Sequence, residues 1–205
     1  MASKIDVINR ALRAIAEQPI QSLTEESEPA AIISDIYDIE LEAEIREWPF
    51  TWAQRTAELA LISSETPPDY GYAYQLPADY LMIMEIIDLT TSATIYSWDN
   101  VYSWTNVRFQ EWEVREGKLY INSSNVQIKY TVLEVDATKW DATFTRAFAY
   151  RLAMTAGPSI TEKMALIERA ERQYITEINK ARANSASESR KQSRLSEDYL
   201  NARNV

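Results

Sequence analysis

Hydrophobic positions recur at helical spacing from the first turn of the chain. Ile5, Ile8, Leu12 and Ile15 fall on one stripe, with Ala11 and Ala16 beside it and Lys4, Asp6, Arg10, Arg13 and Glu17 away from it. That pattern predicts an amphipathic helix from about Ser3 to Ala16, closed before Pro19, which disfavours a helical residue ahead of it. A second helix is predicted from Ser27–Pro29, where a Ser cap and an early Pro mark a start, to Trp48, where Pro49 stops or kinks it. This helix carries two apolar rows. Ile32, Ile36, Ile39 and Ala43 make one; Ile33, Tyr37, Leu41, Ile45 and Trp48 make the other, and Asp35, Asp38 and Glu42 form an acidic ridge between them. A monomer's surface helix needs only one stripe. Two rows predict burial from two directions, either inside the chain's own bundle or with one face against a neighbouring subunit.

From Phe50 the helical pattern is expected to continue through Trp52, Ala53 and Leu59 and to break at Pro67-Pro68. The period then changes. Leu81–Leu89 is an apolar run of strand length, and Val126–Val132 alternates as a half-buried strand does. Glu111–Arg115 and Lys118–Ile121 flank Glu116-Gly117, a hairpin turn signal. Helices resume near Asp141, with Phe144, Ala147, Phe148 and Leu152 on the apolar side and a predicted end at Gly157-Pro158. Ser159-Ile-Thr-Glu162 fits a capping box. The helix it opens carries Ile160, Met164, Ile167, Tyr174, Ile178 and Ala181 on its stripe, to about Ala183. Asn184–Val205 is rich in Ser, Asn, Arg and Glu and is predicted to be disordered alone. The fold class expected is α+β, mainly α: a helical bundle with an inserted antiparallel β-meander and an extended C-terminal arm. Residues 1–73 supply two helices of the bundle, 74–135 the β insertion, 136–183 two more helices, and 184–205 the arm.

Composition narrows the chemistry. The 205 residues include no Cys and no His, so disulfides, thiolate sites and His-based triads are excluded and the commonest zinc ligand is missing. Three glycines cannot build a Gly-rich phosphate loop. A net charge of −10 argues against wrapping nucleic acid. No cofactor and no metal is expected. No apolar run is long enough to span a bilayer and no targeting segment opens the chain, so no membrane partner is expected and synthesis in a cytoplasm is.

Three segments together resemble the head-to-tail adaptor, or connector, proteins of short-tailed bacteriophages, the tail tubular protein A type. They are Asn9-Arg-Ala-Leu12 running into Glu17-Gln-Pro-Ile20, then Trp48-Pro-Phe-Thr-Trp52-Ala53 followed by Arg55, then Tyr72-Ala-Tyr74-Gln-Leu76-Pro-Ala-Asp79-Tyr-Leu81. They cover roughly the first eighty residues. One departure is Ala16, where relatives often carry Gly. The resemblance implies a non-enzymatic virion protein at the head–tail junction, assembled in the host bacterial cytoplasm. It implies a dodecameric ring of this chain below the portal protein, C-terminal arms docked on the portal, a tail nozzle or tube protein on the far side, and genomic DNA passing through the lumen without specific binding.

Several residues then become candidates. For the portal-docking arm these are Arg194, Leu195, Tyr199 and Leu200; Leu195, Tyr199 and Ala202 are spaced to present anchors from a short helix. For the subunit interface they are Ile32, Ile36 and Ile39, or Tyr37 and Leu41 on the opposite row. Tyr96–Val101 is repeated as Tyr102–Val107, with Trp98 and Trp104 in equivalent places. That duplication packs aromatics onto the β insertion, or forms a tail-facing platform, or stacks sugars. Thr24–Glu47 holds nine acidic residues against Arg46 alone, either a lumen wall that repels phosphates or a solvated outer face. Two contrasting classes remain: a glycoside hydrolase using paired carboxylates among Glu40, Glu42, Glu44, Glu47, Asp79 and Glu111, and a generic helical scaffold.

Overall fold

The computed structural model describes residues 2–64, 68–98 and 111–188. Helix α1 (Lys4–Ala14) opens on a capping box: the Asp6 N–H donates to Ser3 Oγ (3.2 Å) and the Ser3 N–H to the Asp6 carboxylate (2.8 Å). Its buried side is Val7, Ile8, Ala11 and Leu12; Val7 takes the inward place expected of Ile5. The helix ends on Ala16, whose φ of 56° lies in the left-handed region. The Ala16 N–H reaches the Arg13 carbonyl (3.1 Å) and the Glu17 N–H the Leu12 carbonyl (2.9 Å), the two bonds of a Schellman close. A Cβ in that conformation costs about 1–2 kcal/mol, while glycine's extra freedom in the unfolded chain returns about 0.4–1 kcal/mol of it. Ala16→Gly is therefore expected to stabilise the protein by roughly 0.5–1 kcal/mol, read as a melting temperature raised by a few degrees. An unchanged or lower value would mean that the entropy cost wins.

Helices α2 (Glu28–Glu47), α3 (Ala142–Ile160) and α4 (Met164–Glu188) complete the helical part. Helix α3 is the centre of it, touching α1, α2 and α4. It starts on Asp141, whose side chain accepts from the Thr143 (2.7 Å) and Phe144 (3.2 Å) N–H groups. It does not end at Gly157-Pro158 but runs on to Ile160. Gly157 is a packing residue: a Cβ there would stand 2.9 Å from Ile167 Cγ1, so its absence lets α4 approach α3. Ser159 consequently lies inside the last turn of α3 and does not cap α4. Helix α4 also outruns its expected end at Ala183. Ser185 is buried and its Oγ accepts from the Thr51 N–H (3.0 Å), while Thr51 Oγ1 donates to Glu188 (2.6 Å). Residues 184–188 thus belong to the helix, and the rest of the expected arm lies outside the described residues.

The expectation of a helical bundle carrying a small β-meander is overturned. Among the described residues, four helices stand alongside two four-stranded antiparallel sheets, in the orders β1-β8-β4-β5 and β2-β3-β7-β6. Their strands are β1 (Gln54–Glu58), β2 (Ala60–Leu61), β3 (Tyr72–Gln75), β4 (Tyr80–Asp88), β5 (Ala93–Ser97), β6 (Trp112–Arg115), β7 (Lys118–Ile121) and β8 (Val126–Val132). The helical continuation expected after Phe50 is one 3-10 turn, Thr51–Ala53; the chain then becomes β1, pairs with β8 from Gln54↔Thr131 to Glu58↔Gln127, and crosses to the other sheet at Leu59. The last strand, β8, lies between the first and the fourth, so the order is not that of a meander. Leu59, Tyr74, Ile83, Ile86, Leu119, Ile121 and Ile128, drawn from both sheets, share one hydrophobic cluster. The expected hairpin is present: β6 and β7 pair across Glu116 (φ 53°) and Gly117 (φ 72°), the two left-handed positions that a tight hairpin turn needs.

Candidate assembly surface

Helix α2 separates its two apolar rows cleanly. Ile33, Tyr37, Leu41 and Ile45 are buried in the helical core, with the Tyr37 ring edge-on to Phe148 at 5.2 Å. The other row faces out. Ile32 and Ile36 are half-buried at the rim of the core, and Ile39 is 70% exposed. Tyr37 and Leu41 are thus inside the chain's own fold and are no surface for a neighbour, which leaves Ile32, Ile36 and Ile39 as the interface candidates.

The acidic residues of α2 are largely matched by cations of the same chain. Lys4 meets Asp38 (3.0 Å), Arg46 meets Glu42 (2.9 Å), Arg151 meets Glu40 (2.6 Å) and Arg182 meets Glu47 (2.9 Å). Glu44 is completely buried. It accepts a hydrogen bond from the Tyr174 hydroxyl (2.7 Å) and lies 3.5 Å from Arg182 and 4.0 Å from Arg151. Burial pushes its carboxyl above the usual range, while the Tyr174 hydrogen bond and the two guanidinium groups pull it back. This cluster clamps α2 to α3 and α4. Arg151 and Arg182 were not singled out from sequence; the signal available for Arg151 was its place, with Arg146, in a helix that is otherwise uncharged. Glu26, Glu28 and Asp35 form no ion pair among the described residues, so the acidic stretch is a braced helix with a short charged rim.

The residues that carry the family resemblance sit at joints of the fold. The Asn9 side chain donates to the Ile20 carbonyl (2.9 Å) and accepts from the Ile20 N–H (2.8 Å), binding the loop after α1 back to it. Arg55 approaches Asp79 (3.6 Å) and Glu134 (3.5 Å), and Tyr130 donates to Asp79 (3.2 Å). Asp79 therefore ties β1 and β8 to the turn ahead of β4. Phe50 is fully buried and packs on Phe144 (4.7 Å), with Trp52 beside the same ring (4.8 Å). Trp98, a candidate tail-facing aromatic, is half-buried edge-on to Trp48 at 5.3 Å, and the Tyr96 ring lies tilted against Trp112 at 4.9 Å. Trp98 of the first copy therefore packs the β part against the end of α2. Trp104 of the second copy lies outside the described residues, as do Arg194, Leu195, Tyr199 and Leu200.

Of the carboxylates weighed for glycoside cleavage, Glu40, Glu44 and Glu47 share Arg151 and Arg182. Glu44 is shut away from substrate, Glu40, Glu42, Glu47 and Asp79 face guanidinium groups, and Glu111 is exposed beside β6. Among the described residues no group of three or more Asp or Glu side chains could hold a metal ion, and no helix is long and apolar enough to cross a membrane. An open groove of about 550 Å³ between α1 and the start of α3 is lined by Asp6, Arg10, Arg13, Trp140 and Thr145, among others. The chain matches no protein-family model and no curated protein.

Proposed function

We propose that the chain is a structural adaptor of a short-tailed phage virion: a ring of copies that joins the portal protein to the tail nozzle or tube and lets DNA through its lumen. The observation that carries this reading is the outward apolar row of α2. Ile39 with the outer edges of Ile32 and Ile36 offers a short apolar strip, and a closed ring of identical subunits would cover it through heterologous contacts. The resemblance points the same way, since its residues are those that hold the fold's joints: Asn9 on Ile20, Phe50 and Trp52 on Phe144, Arg55 on Asp79. The lumen need not be lined by α2. With Asp38, Glu40, Glu42, Glu44 and Glu47 each beside a cation of the chain, little of its charge is left to repel phosphates.

The residues after Glu188 are the proposed portal-docking arm, with Arg194, Leu195, Tyr199 and Leu200 as its contacts. One arm binds weakly because ordering it is costly, and a ring of arms binds tightly through avidity. A chain truncated after Glu188 is expected to keep its melting temperature while losing attachment to portal-containing heads in a co-sedimentation assay. Cutting at Glu188 rather than Ala183 matters, because Ser185 and Glu188 hold Thr51. Normal attachment of the truncated chain would remove the arm's role.

A further inference from the structure

We infer that the groove between α1 and the start of α3 receives the acidic outer side of α2 from a second copy of the chain. On the adaptor reading, which this assumes, these are the two faces that meet between subunits of the ring. Arg10 and Arg13 stand one turn apart on α1 and are exposed at the edge of the groove, with Ala2, Trp140 and Ala142 along its walls. Neither guanidinium has an ion-pair partner among the described residues, on a chain whose net charge is −10. The groove's own carboxylate, Asp6, is held by the helix cap: it accepts from the Ser3 N–H and the Ser3 hydroxyl, both at 2.8 Å. Like charges on adjacent turns repel each other. An acidic surface brought into the groove relieves that repulsion and adds its own attraction.

Helix α2 carries the matching surface. Glu28, Asp35 and Ile39 are exposed and share its outer side, Ile39 one turn after Asp35 and Glu28 two turns before it. Glu28 and Asp35 have no ion-pair partner among the described residues. Within one subunit the two faces stand apart. Lys4 binds Asp38 and lies over the Tyr37 ring at 4.0 Å, so it marks the side of α1 turned towards α2. Arg13 comes nine residues later, two and a half turns, and so lies on the side turned away. Unmatched charges of opposite sign on separate faces of one subunit are matched when copies associate head to tail, groove to helix. Each contact uses one groove and one helix and leaves one of each free, so it repeats around a ring. A contact of α2 with α2 would instead set carboxylate against carboxylate. Because all four charges are exposed, the attraction is screened by salt.

The chain has no cysteine, so contacts between copies can be trapped at chosen points. Ala142 lines the groove and Ala31 stands between Glu28 and Asp35 on α2; both are exposed. Two purified full chains, one with Ala142→Cys and one with Ala31→Cys, are mixed at low salt without portal and oxidised, one of them bearing a tag that separates heterodimer from homodimer by size. The expected result is a disulfide-linked heterodimer at several times the yield of either homodimer. Arg10→Glu with Arg13→Glu in the Ala142→Cys chain should cut it to the homodimer level. Adding Glu28→Arg with Asp35→Arg to the Ala31→Cys chain should then restore it, a recovery that a misfolded groove would not give. A heterodimer no more abundant than the homodimers would overturn the inference, as would one that survives the first reversal or is not restored by the second. An excess of Ala31→Cys homodimer would place α2 against α2 and overturn it too. The measurement uses no portal, so its failure removes this pairing of faces and leaves the adaptor reading to be judged by attachment to heads.

Discussion

A chain carrying Tyr37→Glu and Leu41→Glu is expected not to fold, while Ile39→Glu is expected to fold like the parent. Tyr37 and Leu41 are at most 1% exposed. Removing two such side chains costs about 2–5 kcal/mol each in lost burial and cavity, and each new carboxylate adds a desolvation penalty of several kcal/mol. The sum matches or exceeds the roughly 5–15 kcal/mol that holds a domain together. Ile39, at 70% exposure, gives up little, and substitutions at such sites usually stay within about 0.5 kcal/mol. Circular dichroism with thermal melting separates the outcomes: loss of the helical signal for the double variant, a parental melt for Ile39→Glu. If both variants fold, α2 does not use its Tyr37 row as core. If both unfold, its outer row is part of the core after all.

The second large effect is expected at Glu44. Glu44→Ala leaves the buried Tyr174 hydroxyl without its acceptor and empties the space the side chain filled, a loss of roughly 2–5 kcal/mol. Glu44→Gln keeps an acceptor for Tyr174, and Arg151 and Arg182 still have Glu40 and Glu47, so its cost stays below about 2 kcal/mol. The two variants also differ in pH response. The folded-state pKa of Glu44 is raised, so its contribution to stability is complete below the ordinary carboxylate range and is lost as pH rises through the raised value. The parent should therefore lose ground to Glu44→Gln as pH rises above the ordinary carboxylate range. Carboxylates such as Glu17, held low by Lys163, act oppositely: the stability they give is present above the ordinary range and fades as pH falls, in parent and variant alike. Taking the difference between the two unfolding curves isolates Glu44. A difference independent of pH would mean that Glu44 is not charged and buried as described.

What the sequence made legible was local. The period of α1, the alternation of β8 and the Glu116-Gly117 turn are each decided within a few residues. So was the two-rowed character of α2, although which row faces the core depends on Phe148, more than a hundred residues on. The missed strands show the limit. Thr51–Leu61 reads TWAQRTAELAL, with Ala, Gln, Arg, Glu and Leu favouring a helix. It becomes β1 and β2 because β8 and β3 offer it partners, and sheet pairing overrides local preference. Gly157-Pro158 misled in the same way: the glycine answers to Ile167 on another helix, not to the end of its own. Burial of Glu44 was illegible too, because its partners come from α3 and α4.

The central claim is that the outer row of α2 is an assembly surface of a portal-bound ring. Sedimentation of purified portal mixed with an excess of the full chain, parent or Ile39→Glu, tests it most directly. The account predicts a discrete heavy complex, consistent with a closed ring on the portal, for the parent and none of that mass for the folded Ile39→Glu variant. A complex of the same mass with both chains would contradict it.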